Sequence, residues 1–150
     1  MSDDSPEARL FTLTEAERTR LEVEPFLIEA IDLGRQIGEV DRQLQEASQR
    51  IAMLGGTLVA REPFEKLRAD HERLSGVLRG SLERIESTGC VVKDLDVGLL
   101  DFPAILNNEE VYLCWRLGED RIRYYHRQDE GFGGRRPLDP RDYGPTPPVH

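Results

Sequence analysis

The sequence predicts an α+β protein: a long antiparallel helical hairpin, coiled-coil-like, followed by a small antiparallel β-sheet of three to four strands. Three observations carry this. Apolar residues recur three and four residues apart from Val23 to Leu54, the spacing of a helical seam. The same spacing resumes from Phe64 to Ile85, beyond a Gly55-Gly56 pair that supplies a left-handed stop. From Gly89 the apolar pattern breaks into short runs separated by turn residues, which reads as strands. The chain therefore divides into a helical hairpin over 1–87, a small β subdomain over 88–138 and a flexible Pro-rich tail over 139–150.

Thr14, followed by Glu17, reads as a capping box led in by Phe11 and Leu13. A short first helix is expected at about 15 to 23. Pro25 removes a backbone donor and kinks or breaks the chain there, so the main helix runs from 25 to 54, on the order of 45 Å. The second helix starts at Pro63, a favoured first-turn residue, and ends before Gly89. Its seam is Phe64, Leu67, His71, Leu74, Leu78, Ser81 and Ile85. Read backwards against the first seam, this pairs Leu54 with Phe64, Ala47 with His71, Leu44 with Leu74, Ile37 with Ser81 and Leu33 with Ile85, the constant register an antiparallel hairpin requires. His71 and Ser81 are polar members that fix register, a reading that outweighs a ligand role. Leu27, Ile28 and Ile31 lie off the seam and broaden the apolar surface. That end is expected to dock the β subdomain, leaving the 55–61 tip with Leu58 and Val59 in solvent; a homodimer contact is the competing explanation.

Strands are expected at Cys90–Val92, Gly98–Ile105, Val111–Leu117 and Arg121–Gln128, with turns at Asn107-Asn108 and Gly118-Glu119-Asp120. A turn centred between Glu119 and Asp120 sets Leu113 opposite His126, Trp115 opposite Tyr124 and Leu117 opposite Ile122 on the face toward the hairpin. Tyr112, Cys114, Arg116, Arg123, Tyr125 and Arg127 then share the other face.

Composition narrows the function classes. An apolar share of 38% and a charged share of 33%, with only short apolar runs, give neither a membrane span nor a secretory signal, so a cytoplasmic protein is expected. Cys90 and Cys114 are too few for a zinc framework and are expected as reduced thiols. A net charge of −9 disfavours a general nucleic-acid or anionic-membrane binder. Only the stretch from 111 onward is slightly basic, with seven Arg against six acids.

The runs Gly98-Leu99-Leu100-Asp101-Phe102-Pro103-Ala104, Val111-Tyr112-Leu113-Cys114-Trp115-Arg116-Leu117-Gly118-Glu119, Tyr124-Tyr125-His126 and Gly131-Phe132-Gly133-Gly134-Arg135 resemble a bacterial family known as domain of unknown function 2203. The resemblance spans Phe11 to Leu138. It implies a small bacterial cytoplasmic protein whose characteristic residues cluster in the C-terminal section, and it brings no reaction, cofactor or substrate.

Two groups of residues carry candidate chemistry. Asp101, before a Pro103 that limits strand pairing, and His126, on the face of Trp115 and Tyr124, are a carboxylate and an imidazole that, placed side by side, can fix a tautomer, supply a general base or bind a metal with a third ligand such as Asp94 or Glu130; spacing alone does not show that they meet. The competing structural reading is a buried hydrogen bond. The second group is Gly131, Phe132, Gly134 and Arg135. Glycines let backbone amides converge and Arg135 supplies an anion clamp, whereas the structural reading pins Phe132 in a pocket and pairs Arg135 with an internal acid such as Asp101. The site residues are thus Asp101, Trp115, His126, Gly131, Phe132, Gly134 and Arg135, with no catalytic residue assigned, no cofactor implied and the metal undetermined.

The leading functional reading is a non-enzymatic interaction or scaffold module built on the hairpin, with a protein partner or self-association and no membrane. The alternative is a small metal- or anion-binding protein or enzyme using Asp101, His126 and Arg135. A nucleic-acid surface from Arg116, Arg123, Arg127, Arg135 and Arg136 with Tyr112 and Tyr125 is the least favoured.

Overall fold

The computed structural model describes residues 9–55, 61–130 and 134–139. Thr12 opens the first helix, α1 (Leu13–Met53). Its hydroxyl accepts from the Glu15 amide while the Glu15 carboxylate accepts from the Thr12 amide. The capping box therefore lies two residues before the Thr14 and Glu17 expected for it, and Glu17 is freed for a buried role. The helix runs unbroken through Pro25, against the expected break into two. Pro25 and Leu21 both face solvent, so the Leu21 carbonyl that loses its donor keeps access to water. With 41 residues, α1 is on the order of 60 Å long.

The second helix, α2 (Arg61–Glu86), lies antiparallel along α1. Its register differs from the sequence pairing. His71 Nε2 lies 2.9 Å from Asp41, the Ser81 hydroxyl donates to Glu29 at 2.8 Å, and the Arg84 guanidinium covers the Phe26 ring at 5.1 Å. Leu44 shares a groove with Phe64 and Arg68. Each α2 residue thus meets α1 six to eight residues nearer its N-terminus than the Ala47–His71 and Ile37–Ser81 pairs. The slip is one heptad, which returns every apolar position to an apolar position, so the seam by itself does not choose between the two registers. Pro63 is the third residue of α2 rather than its first.

Five strands form one antiparallel sheet in the order of the chain, one strand more than expected: β1 (Val91–Asp94), β2 (Leu99–Leu106), β3 (Glu109–Arg116), β4 (Tyr124–Arg127) and β5 (Arg136–Pro137). Asn107 and Asn108, with φ of 54° and 65°, turn β2 into β3, the left-handed pair that a two-residue hairpin demands. Leu100 then pairs with Trp115, Phe102 with Leu113 and Ala104 with Val111. These six side chains are buried in one core with Val23 and Leu27 of α1 and Ile85 of α2. Phe11 joins them by donating its amide hydrogen bond to the Pro103 carbonyl and by an edge-on contact with Phe102. The hairpin's broad end docks the sheet through Leu27 and Ile31, while Ile28 stays half exposed. The approach is close at Gly98, whose φ is +72° and where a Cβ would come within 2.7 Å of Leu117.

The turn after β3 is longer than expected. Residues 117–123 form a loop rather than a tight two-residue turn, and Ile122 leaves the sheet to enter the core. Tyr112 consequently pairs with His126, Leu113 with Tyr125 and Cys114 with Tyr124, one residue out of step with the expected Leu113–His126 pair. A one-residue slip exchanges the faces of a strand. His126 therefore joins Cys114 on the face away from the helices, and Trp115 stays on the face toward them.

Candidate functional site

The face of the sheet turned away from the helices holds three buried polar side chains. Asp101 of β2 pairs with Cys114 of β3, and His126 of β4 lies beside them; Asp101 and His126 are each 2% exposed and Cys114 is fully enclosed. The alternation of each strand sends these residues to this face while their neighbours Leu100, Phe102, Leu113 and Trp115 enter the core. His126 Nε2 lies 3.1 Å from Asp101 Oδ2, and Nδ1 lies 2.9 Å from the Arg127 carbonyl. That carbonyl only accepts, so Nδ1–H donates to it and the tautomer follows. Nε2 of the neutral ring is then a bare lone pair pointing at a carboxylate. The contact needs a cation between the two atoms, either a proton or a metal.

The electrostatics favour a held proton in the absence of a metal. Burial pushes the Asp101 carboxyl above the ordinary carboxylate range, against the pull of His126, Lys93 and Cys114. Among the described residues Asp101 Oδ1 is buried without a hydrogen bond of ordinary geometry. The Cys114 thiol is pushed up to about 12, first by burial and then by the Asp101 charge. Burial likewise raises Cys90, next to β1. Both thiols are free and buried. The Tyr112 ring lies 5.3 Å from the His126 ring and also lines a cavity of about 320 Å³ with Leu10, Gly89, Cys90 and Pro103.

The sequence names Asp101 and His126 as candidates without showing that they meet; the structure brings them together. Sequence reasoning misses Cys114, because the expected register sends that thiol to the opposite face from His126. Trp115 is a core residue whose indole N–H donates to the Glu119 carbonyl, on the face remote from the cluster. Arg135 does not meet Asp101: its guanidinium donates to both Glu119 oxygens at 3.0 and 3.1 Å and lies 4.1 Å over the Tyr124 ring. Gly134 packs so close to Glu130 that a Cβ would lie 2.9 Å from its side chain. Gly131 and Phe132 lie outside the described residues. The suggested third ligands are engaged elsewhere, Asp94 with the Asp96 amide and Glu130 with the Arg127 amide and Arg136. The arginine surface is likewise met by acids, Arg123 by Asp120, Arg127 by Glu109 and Arg136 by Glu130, and Tyr112 and Tyr125 fall on opposite faces.

A second buried polar group escapes the sequence reading altogether. Glu17 and Arg20, each 7% exposed, form an ion pair at 2.8 Å; Glu17 accepts the Ile122 amide and Arg20 donates to the Asp120 carbonyl. They tie α1 to the loop after β3. The available signal is the position of Arg20 in the stripe Ala16, Arg20, Val23, Leu27, Ala30, which continues one apolar helix face through a charged residue.

The model of a family described as an uncharacterized conserved protein, DUF2203, matches residues 9–138. No curated protein and no solved structure matches the chain.

Proposed function

The chain belongs to the DUF2203 family, which brings no reaction with it, and we propose that it acts as a non-enzymatic interaction module whose hairpin arm pairs with the arm of a second copy. One observation carries this reading. From Gly34 to Gly55 and from Arg61 to Arg73 no described residue is buried, although the seam there contains Ile37, Val40, Leu44, Ile51, Phe64 and Leu67. The core needs α1 only as far as Leu33 and α2 only from Leu74. About 30 Å of paired helix therefore extends beyond what the core uses.

A groove of about 510 Å³ runs along this arm between Leu44 and Phe64, rimmed by Gln45, Ser48, Gln49 and Arg68. The second copy is favoured as its occupant by charge. The described arm residues carry seven acids and seven bases, against −9 for the whole chain, so two arms meet without net repulsion. The reducing bacterial cytoplasm suits an interaction protein whose two thiols are free and buried. Among the described residues no helix is long and apolar enough to cross a membrane. The anion-binding alternative has less support, since Arg135 is engaged by Glu119.

Sedimentation of the full chain over the micromolar range tests the proposal. A concentration-dependent dimer is expected, and Gln45→Arg with Ser48→Arg on the groove rim returns it to monomer with unchanged helical circular dichroism. A monomer throughout, or a dimer indifferent to the two arginines, overturns it.

A further inference from the structure

The geometry assigns Asp101, Cys114 and His126 as a buried site for a zinc-type divalent cation. Four observations converge on it. The ligand atoms of these three residues lie within 4.8 Å of one another, and neighbouring ligands around a tetrahedral zinc stand on the order of 3.5 Å apart, given bonds of about 2.0–2.3 Å. His126 donates Nδ1–H to the Arg127 carbonyl, the outer bond that orients a metal-binding imidazole and turns its Nε2 lone pair inward. That lone pair faces Asp101 Oδ2 at 3.1 Å. The remaining oxygen, Asp101 Oδ1, is enclosed and, among the described residues, makes no hydrogen bond of ordinary geometry, with the Cys114 thiol as the carboxylate's other polar neighbour, so the carboxylate presents acceptor capacity to the same small volume.

Ligand chemistry selects the class of ion. One thiolate, one imidazole and one carboxylate combine soft, borderline and hard donors, a mixture that suits zinc or cobalt and is foreign to calcium and magnesium, which take oxygen alone. Three protein ligands leave the fourth corner of a tetrahedron for water or a ligand oxygen. Tyr112, whose ring lies 5.3 Å from that of His126, also lines the 320 Å³ cavity.

The exchange balances in protons. In the metal-free protein one proton lies between His126 Nε2 and Asp101 Oδ2, and another is on the Cys114 sulfur. The cation replaces both, and two protons leave to solvent for each ion bound. The groups that face this exchange are Lys93 and Cys90 on the β1 side, Tyr112 beside the imidazole, and Glu119 with Arg135 beyond Cys114. Arg135 favours the Cys114 thiolate, whereas Asp101 and Glu119 oppose it.

Cobalt(II) is the direct probe. Titrating the chelator-treated full chain should give one equivalent of binding, with visible tetrahedral bands, a near-ultraviolet thiolate-to-cobalt band and proton release, and zinc should displace it. Cys114→Ser should remove the thiolate band, and Asp101→Asn should weaken binding by at least about 100-fold, beyond the 10–100-fold typical of losing an outer-shell partner. Cys90→Ser serves as the control that keeps the band. A thiolate band that survives Cys114→Ser, or no band and no zinc-induced melting shift in the unaltered chain, overturns the assignment. Both readouts are independent of dimer formation, so this result and that of sedimentation fall separately.

Discussion

The arm of the hairpin and the body at its base are built from the same two helices, yet they are held by different physics. In the body α1 buries Val23 and Leu27 against strands about eighty residues away in the chain, where side chains close on one another from several directions. In the arm each helix has only the other, and its apolar residues remain half exposed. The difference shows that a regular apolar repeat specifies partnership without specifying burial. Stability is concentrated where distant elements converge, and the arm is left as surface.

The sharpest way to break this comparison is a pair of truncations. Trp115→Ala in the body should cost about 3–5 kcal/mol, as expected for an enclosed aromatic side chain, and it also removes the donor to the Glu119 carbonyl. Leu44→Ala in the arm should cost on the order of 1 kcal/mol, since its side chain is only partly removed from water. Urea midpoints measure both. Equal losses would mean that the arm carries as much of the fold as the body does.

The Glu17–Arg20 pair sharpens the comparison at the junction between helix and sheet. Glu17→Ala should cost about 3 kcal/mol, the low end for breaking a buried ion pair, because Arg20 keeps Glu24 and the Asp120 carbonyl. The Ile122 amide loses its acceptor as well. Replacing both residues with Met should recover most of the loss, because what destabilises is the charge left alone. A double variant as unstable as Glu17→Ala would instead place the cost in the Ile122 amide.

The arm and the body also differ in how far they can be read from sequence. The hairpin, the strand segments and the Asn107-Asn108 turn are all legible, because each rests on local spacing or on turn chemistry; the meeting of Asp101 with His126 is not, because it depends on strand register. What escapes is register. A heptad seam matches itself after a slip of seven residues, so His71 finds Asp41 and not Ala47. A strand matches a neighbour after a slip of one, at the cost of exchanging faces, and this hides Cys114 from the Asp101–His126 pair. Arg135 had several acids within reach of its segment, and spacing alone does not choose Glu119 over Asp101. Turn length decides the β3–β4 register, and that length depends on Ile122 reaching Glu17 across the whole chain.

The N-terminus of α1 offers the smallest effect and the cleanest discrimination between local and long-range control. Two overlapping patterns compete there: Thr12 with Glu15, and Thr14 with Glu17. Local chemistry permits either as a capping box. The choice is made elsewhere, because Glu17 is drawn to Arg20 and the Ile122 amide, and because Phe11, immediately before Thr12, is fixed by its bond to the Pro103 carbonyl. Thr12→Ala should therefore cost about 1 kcal/mol, the usual value for a lost N-cap, while Thr14→Ala, inside the helix and solvent-facing, should change stability by no more than a few tenths and in the favourable direction. Introducing each change beside Glu17→Ala then asks whether the cap moves once the body releases its claim. If Thr14→Ala becomes costly only in that background, the body sets where the helix begins; if Thr12→Ala keeps its full effect, the first turn sets it alone.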